Sequence, residues 1–191
     1  MKKIITLAFI ACSFAFYSCE DIVDELDKFT EFELAFTEEF TYPAAPLFAD
    51  SIRFDGPPTS TNSDSTFKTN NTQRELVEKV EVKNLDLVIT APDSGNFQFM
   101  DYIRVFIMAD LNGDGFITDE TERIEVANKL VIPSTIGKEL ILDPIPGDFK
   151  LFVFSEEISL SLQYGTNKPT TFPLDIDVNV EFTVNAKVLG V

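Results

Sequence analysis

The chain has 191 residues, 32 of them acidic and 15 basic, for a formal charge of −17, and it holds no histidine and no tryptophan. That balance argues against nucleic acid and anionic lipid surfaces as partners. Without histidine the commonest proton shuttle, the Ser-His-Asp triad and histidine-ligated haem are all out of reach, so the composition speaks against an enzyme.

Residues 1–18, MKKIITLAFIACSFAFYS, read as a secretory signal peptide. Lys2 and Lys3 form its positive start, and the apolar run from Ile4 to Tyr17 is too short to span a bilayer stably. The run ends Phe16-Tyr17-Ser18-Cys19 and then turns acidic at Glu20, Asp21, Asp24, Glu25 and Asp27. A small residue before this cysteine resembles a bacterial lipobox, although Phe16 stands where leucine or valine is usual. The looser form resembles the lipoprotein signals of Bacteroidetes-type Gram-negative bacteria, and the acidic run resembles the export signal that sends such lipoproteins to the cell surface. The resemblance implies that Cys19 is diacylated and becomes the first residue of the mature chain. It also implies an outer-membrane lipoprotein, facing the cell surface or the periplasm, attached to the membrane through its lipid. Each buried methylene of such an anchor contributes about 0.8 kcal/mol. Cys12, after Ala11, is a competing site with a shorter apolar run before it, and an ordinary cleaved signal with an unlipidated cysteine is a further alternative. Beyond Cys19 there is no cysteine, so neither a disulfide nor a zinc–thiolate site is available there.

Residues 19–29 read as an acidic tether, and residues 30–191 as one domain. In Thr30–Phe36 the alternation of Phe32, Leu34 and Phe36 predicts a strand, and Phe40 with Tyr42 a second piece before Pro43 and Pro46. Residues 55–72, DGPPTSTNSDSTFKTNNT, read as a long exposed loop with one lone Phe67. Gln73 to Lys79 could be a short helical turn. The apolar positions then change parity between Val82 and Leu85, which predicts a bulge near Lys83-Asn84. Tyr102 to Ala109 is apolar on both faces except at Arg104, as in a central strand covered on both sides. Arg123 to Val126 reads as its return strand. Glu139–Leu142, Phe149–Phe154 and Ile158–Leu162 follow as strands. The clearest element runs from Leu174 to Val188, with every second residue apolar. It is long enough that a bend or bulge partway is expected. About eight strands with few helices predict an all-β fold, an antiparallel β-sandwich, with a small β-barrel as runner-up. The strand order is not readable.

Between the central strand and its return lies Asp110-Leu111-Asn112-Gly113-Asp114-Gly115-Phe116-Ile117-Thr118. Its first nine positions resemble an EF-hand or dockerin calcium loop. Asp110, Asn112 and Asp114 stand at the first three ligand positions, and Gly115 at the sharp turn. The Phe116 carbonyl and Thr118 take the seventh and ninth positions. The twelfth position is Thr121, where the family has a bidentate glutamate, and Glu122 just beyond it is the nearest substitute. The resemblance implies a weak structural Ca2+ staple. Asn112-Gly113 and Asp114-Gly115 are equally the pairs that a plain hairpin turn favours, so both readings stand at this point.

Acidic residues fall mostly at the outward positions of alternating strands, so no carboxylate pair stands out as catalytic. With no tryptophan for a sugar platform, Tyr164 beside Gly165 is the best exposed aromatic candidate for a ligand contact. The leading expectation is a lipid-anchored, non-enzymatic binding or adaptor module for an unidentified protein or glycan. A pilin-like structural subunit that polymerises by strand exchange is the alternative.

Overall fold

The computed structural model describes residues 31–44, 50–112 and 122–188. Among these residues ten strands form two antiparallel sheets packed as a sandwich, without barrel closure. The first sheet has the order β1 (Glu31–Tyr42), β10 (Leu174–Ala186), β4 (Val77–Ala91), β7 (Glu139–Ile141). The second has the order β2 (Ile52–Asp55), β9 (Glu157–Thr166), β5 (Met100–Met108), β6 (Arg123–Lys129), β8 (Asp143–Pro144), with β3 (Thr59–Ser60) also paired to β9.

The alternation of the sequence sets the layers. Along β10, Leu174, Ile176, Val178, Val180, Phe182, Val184 and Ala186 are buried, and the residues between them stand outward. They meet Ile103, Val105 and Ile107 of β5 and Ile158, Leu160 and Leu162 of β9 in one core cluster. Each fully buried Leu, Ile or Phe contributes about 1.5–3 kcal/mol, so this cluster is the main stabilising term. The strand predicted from Phe32 and the piece at Phe40–Tyr42 are one continuous β1. It pairs with β10 without a break from Glu31↔Asn185 to Tyr42↔Leu174.

The bulge expected near Lys83 is present: Glu181 faces Asn84 and Phe182 faces Val82, so β4 passes over Lys83. Glu78 and Thr90 are passed over in the same way. The irregularities expected along the C-terminal strand thus sit on its partner, and β10 keeps register with β1. Three extra residues let the fifteen-residue β4 bend beside an unbroken neighbour.

Three expectations need correction. Phe149–Phe154 is not a strand. Its centre is a short helix, α2 (Lys150–Val153), with Phe149, Phe152 and Val153 buried at helical spacing. Asp148 Oδ1 accepts the N–H groups of Lys150 and Val80 at 3.2 and 3.1 Å, which starts the helix and ties it to β4. Residues 55–72 are not a featureless loop, since they hold β3 and helix α1 (Ser63–Thr69). Phe67 is 1% exposed and packs edge-on against Phe32 and Phe154, so α1 closes one end of the sandwich. Finally, β5 is central, between β9 and β6, but among the described residues no third layer covers its outer face. That face is covered by side chains, with the Arg123 guanidinium 3.5 Å from the Phe106 ring centroid and Arg53 Nη2 3.5 Å from Met108 Sδ.

Candidate functional site

The calcium-like segment links β5 to β6, so the hairpin read from the sequence is real. The ladder runs to Met108↔Arg123 and is extended by the Ala109 N–H donating to the Glu122 carbonyl at 3.2 Å. Glu122 points inward and is 3% exposed. Its Oε1 accepts the N–H groups of Leu111 at 2.9 Å and Asn112 at 3.1 Å, so the carboxylate closes over the start of the connecting segment. Its Oε2 is buried and has no hydrogen-bond partner among the described residues. Asp110 is half-buried and Asn112 exposed beside it. Asp114, Phe116 and Thr118 lie outside the described residues, as do Cys19, the signal peptide and the tether. Of the six residues named for the metal, the structure therefore brings together Asp110, Asn112 and Glu122.

A buried carboxylate oxygen without a donor is costly unless a proton or a cation meets it. The donor set suits a hard cation: carboxylate, amide and backbone oxygens with no sulfur or imidazole. Among the described residues no group of three acidic side chains converges, so any ion here would lean on the connecting segment or on water.

Sequence reasoning missed a second buried carboxylate. Glu38 is 5% exposed and occupies an inward position of β1, between Phe36 and Phe40. Its Oε2 accepts the Leu160 N–H at 3.0 Å, across from one sheet to the other. The cause lies in the edge strand opposite. There β2 ends at Asp55, Gly56 still donates its N–H to the Leu160 carbonyl at 2.8 Å, and Pro57-Pro58 then carry the chain away before β3. The Glu38 carboxyl supplies the acceptor that the interrupted strand does not. Its Oε1 has no hydrogen-bond partner among the described residues and lies against Gly56, where a Cβ would stand 1.7 Å from it. Burial pushes the Glu38 carboxyl up to about 7, and the Leu160 N–H offsets that only in part. Continuing the period of two from Phe32 through Tyr42 would have found it.

Tyr164 is not exposed. It is 3% accessible in the core face of β9, its ring centroid 5.6 Å from that of Tyr42. Burial, with Tyr42 adding to it, raises its hydroxyl above the ordinary tyrosine range. Gly165 did not mark a loop: it lets the Tyr102 ring approach to 2.5 Å from where a Cβ would sit. A recess of about 180 Å³ opens nearby instead, lined by Ser94, Asn96, Gln98, Lys168, Thr171 and Phe172 among others. No acidic residue lines it, in a chain with 32 of them. The Phe172 ring is 40% exposed.

No protein-family model matches the chain, and no curated protein matches it. Solved structures resemble it distantly. A Desmodium yellow mottle tymovirus structure is 12% identical with a TM-score of 0.25, covering 84% of this chain and 91% of that one. A recombinant N-glycanase F (PNGase F) is 12% identical with a TM-score of 0.38, and this chain spans 42% of its length, with 81% of this chain covered. An infectious bursal disease virus VP2 subviral particle is 9% identical with a TM-score of 0.36, covering 82% of this chain and 33% of that one.

Proposed function

We propose that this protein is a lipid-anchored, non-enzymatic binding module of the cell envelope whose β5–β6 hairpin is stapled by calcium. The observation that carries the metal part is Glu122. It is 3% exposed, with one oxygen spent on the N–H groups of Leu111 and Asn112 and the other without a donor among the described residues, next to Asp110 and Asn112 of the loop pattern. A cation there would neutralise that oxygen and tie both strand ends together. Asp110 and Glu122 would supply carboxylate oxygens, Asn112 an amide oxygen, and Asp114, Phe116 and Thr118 the remaining positions of the loop pattern. The binding part is supported by the carboxylate-free recess at Asn96, Gln98 and Phe172, whose amides, hydroxyls and exposed ring suit a glycan or a protein segment. Anchoring rests on Ser18-Cys19 and the acidic run after it.

The strand-exchange alternative has less support. β10, the natural donor, is held on one side by β1 and on the other by β4, in twelve register pairs each.

The test is a thermal melt of the purified protein in 10 mM calcium and in chelator, beside an Asp110→Ala, Asp114→Ala double variant. A loop of extracellular affinity, Kd on the order of 10⁻³ M, stabilises by about 1.4 kcal/mol at that concentration, or roughly 3–6 °C. A rise of that size, absent from the variant, supports the staple, and equal midpoints sink it. Membrane fractionation of Cys19→Ala checks the anchor: a variant that still sediments with membranes like the wild type would rule out lipidation at that residue.

A further inference from the structure

We propose that Glu38 is a proton-gated latch on the first strand. Protonated, it seats β1 against Gly56 and Leu160; ionised, it loosens that seam, so the β1 side of the sandwich opens more readily. The inference is independent of both the metal and the ligand discussed above.

Three features of the geometry carry it. The first is position. Glu38 sits on β1, an edge strand whose backbone ladder among the described residues is to β10 alone, and its carboxyl gives β1 a hydrogen bond to the opposite sheet. The second is confinement. Oε1 is buried against Gly56, where a Cβ would overlap it at 1.7 Å and the Phe40 ring at 2.8 Å, so the oxygen is closed in by backbone and an apolar ring. The third is the absence of a counter-charge. On β10 the residue opposite is the apolar Val178. On β2, Arg53 and Asp55 are the charged groups, and they hold each other at 2.8 Å. Burial works to raise Asp55, but the hydrogen bonds from Arg53 and Ser161, with the charges of Arg53 and of Arg123 on β6, outweigh it and hold it low. On β9 the ionisable residue towards that end, Glu157, is exposed. On β1 itself Glu39 is exposed and turned outward. An ionised Glu38 therefore meets one backbone N–H and no cation, and a buried charge in that state favours opening, where water reaches it.

The linkage has a definite sign. The folded seam holds the proton more tightly than the opened strand does, where a glutamate has its ordinary value of 4.5. Opening is suppressed below about pH 5, rises up to tenfold per pH unit towards about pH 7, and is flat above that.

The test is amide exchange of the purified protein at Leu160 and along Thr37–Phe40, from pH 5 to pH 8.5, corrected for the intrinsic chemical rate and compared with Glu38→Gln. The expected result is at least a tenfold increase in opening over that range for the wild type and less than a twofold change for Glu38→Gln. A wild-type profile parallel to that of the variant would overturn the latch. A carboxyl ¹³C titration of Glu38 stands apart from any loss of folding in the variant: a midpoint above pH 6 supports the proposal, and one at or below pH 6 overturns it.

Discussion

Glu38 and Glu122 are the two buried carboxylates among the described residues, and they are built alike. Each spends one oxygen on backbone N–H groups, Leu160 for Glu38 and Leu111 with Asn112 for Glu122. Each leaves its other oxygen without a hydrogen-bond partner. Their surroundings differ. Glu38 looks at Gly56 and the Phe40 ring inside a seam between two sheets. Glu122 caps Leu111 and Asn112, where the sequence Asp110-Leu111-Asn112-Gly113-Asp114 is rich in oxygen-bearing side chains. A buried carboxylate creates a demand for positive charge, and its neighbours decide what can meet it. A dry apolar seam admits only a proton. Oxygen-bearing side chains beside a buried carboxylate are the donors that a divalent cation would need, which is the proposed staple.

The largest expected effect comes from closing the gap that the first site needs. Gly56→Ala places a methyl where Glu38 Oε1 and the Phe40 ring already stand. The Glu38 carboxyl can yield only by giving up its bond from the Leu160 N–H inside a buried seam, and the Phe40 ring only by repacking, so a loss of about 2–3 kcal/mol in chemical denaturation is expected. Adding Glu38→Ala to Gly56→Ala should recover part of that loss, because the worst overlap disappears and the contact with Phe40 remains. Strict additivity of the two substitutions would show that Gly56 and Glu38 do not meet as described.

Why was one of these sites legible and the other not? The hairpin announces itself through a spaced run of Asp, Asn and Gly between two alternating stretches. Glu38 hides because a charge at an inward position breaks the apolar pattern. Phe32–Phe36 and Phe40–Tyr42 then look like two pieces when they are one strand. The same reasoning explains the other misses. FKLFVF, a six-residue stretch apolar except at Lys150, satisfies both periods, and only the contacts of Phe149, Phe152 and Val153 decide for a helix. In α1 five of the seven residues are serine, threonine or aspartate, poor helix formers, beside Lys68 and a single apolar side chain. Its stability comes from Phe67 docking between Phe32 and Phe154, a tertiary effect that no local pattern carries. Where every second residue was apolar, as in β10, the sequence had only one reading.

A smaller effect separates the proton from the cation. Glu38→Gln keeps an acceptor for the Leu160 N–H and removes the charge. Because burial raises the Glu38 carboxyl to about 7 from an ordinary 4.5, the wild type is fully stabilised below about pH 5 and loses stability as pH rises to about 7. Glu38→Gln should therefore match the wild type near pH 5 and exceed it at pH 8. The full linkage amounts to about 3 kcal/mol, and the amide N–H₂ that replaces the unpartnered oxygen trims this to about 2 kcal/mol. Denaturation curves at the two pH values read it directly. A gap that stays constant with pH would mean that Glu38 is ionised throughout and that a charge not identified here stabilises it.

The smallest effect is the most discriminating. Glu122→Gln preserves the acceptor for Leu111 and Asn112 and removes one negative charge from the hairpin base. In chelator its melting midpoint should stay within about 3 °C of the wild type, since the lost ingredient is charge and the cap persists. In 10 mM calcium the wild type should rise by roughly 3–6 °C and the variant should not. Glu38→Gln must then behave in the opposite manner, keeping the calcium response and losing the pH dependence. If both variants retain the calcium response, Glu122 is a hairpin cap alone and its second oxygen is tolerated as an unmet cost. If both lose it, the two seams are coupled through β9 and β5, which pair directly, and neither carboxylate acts by itself.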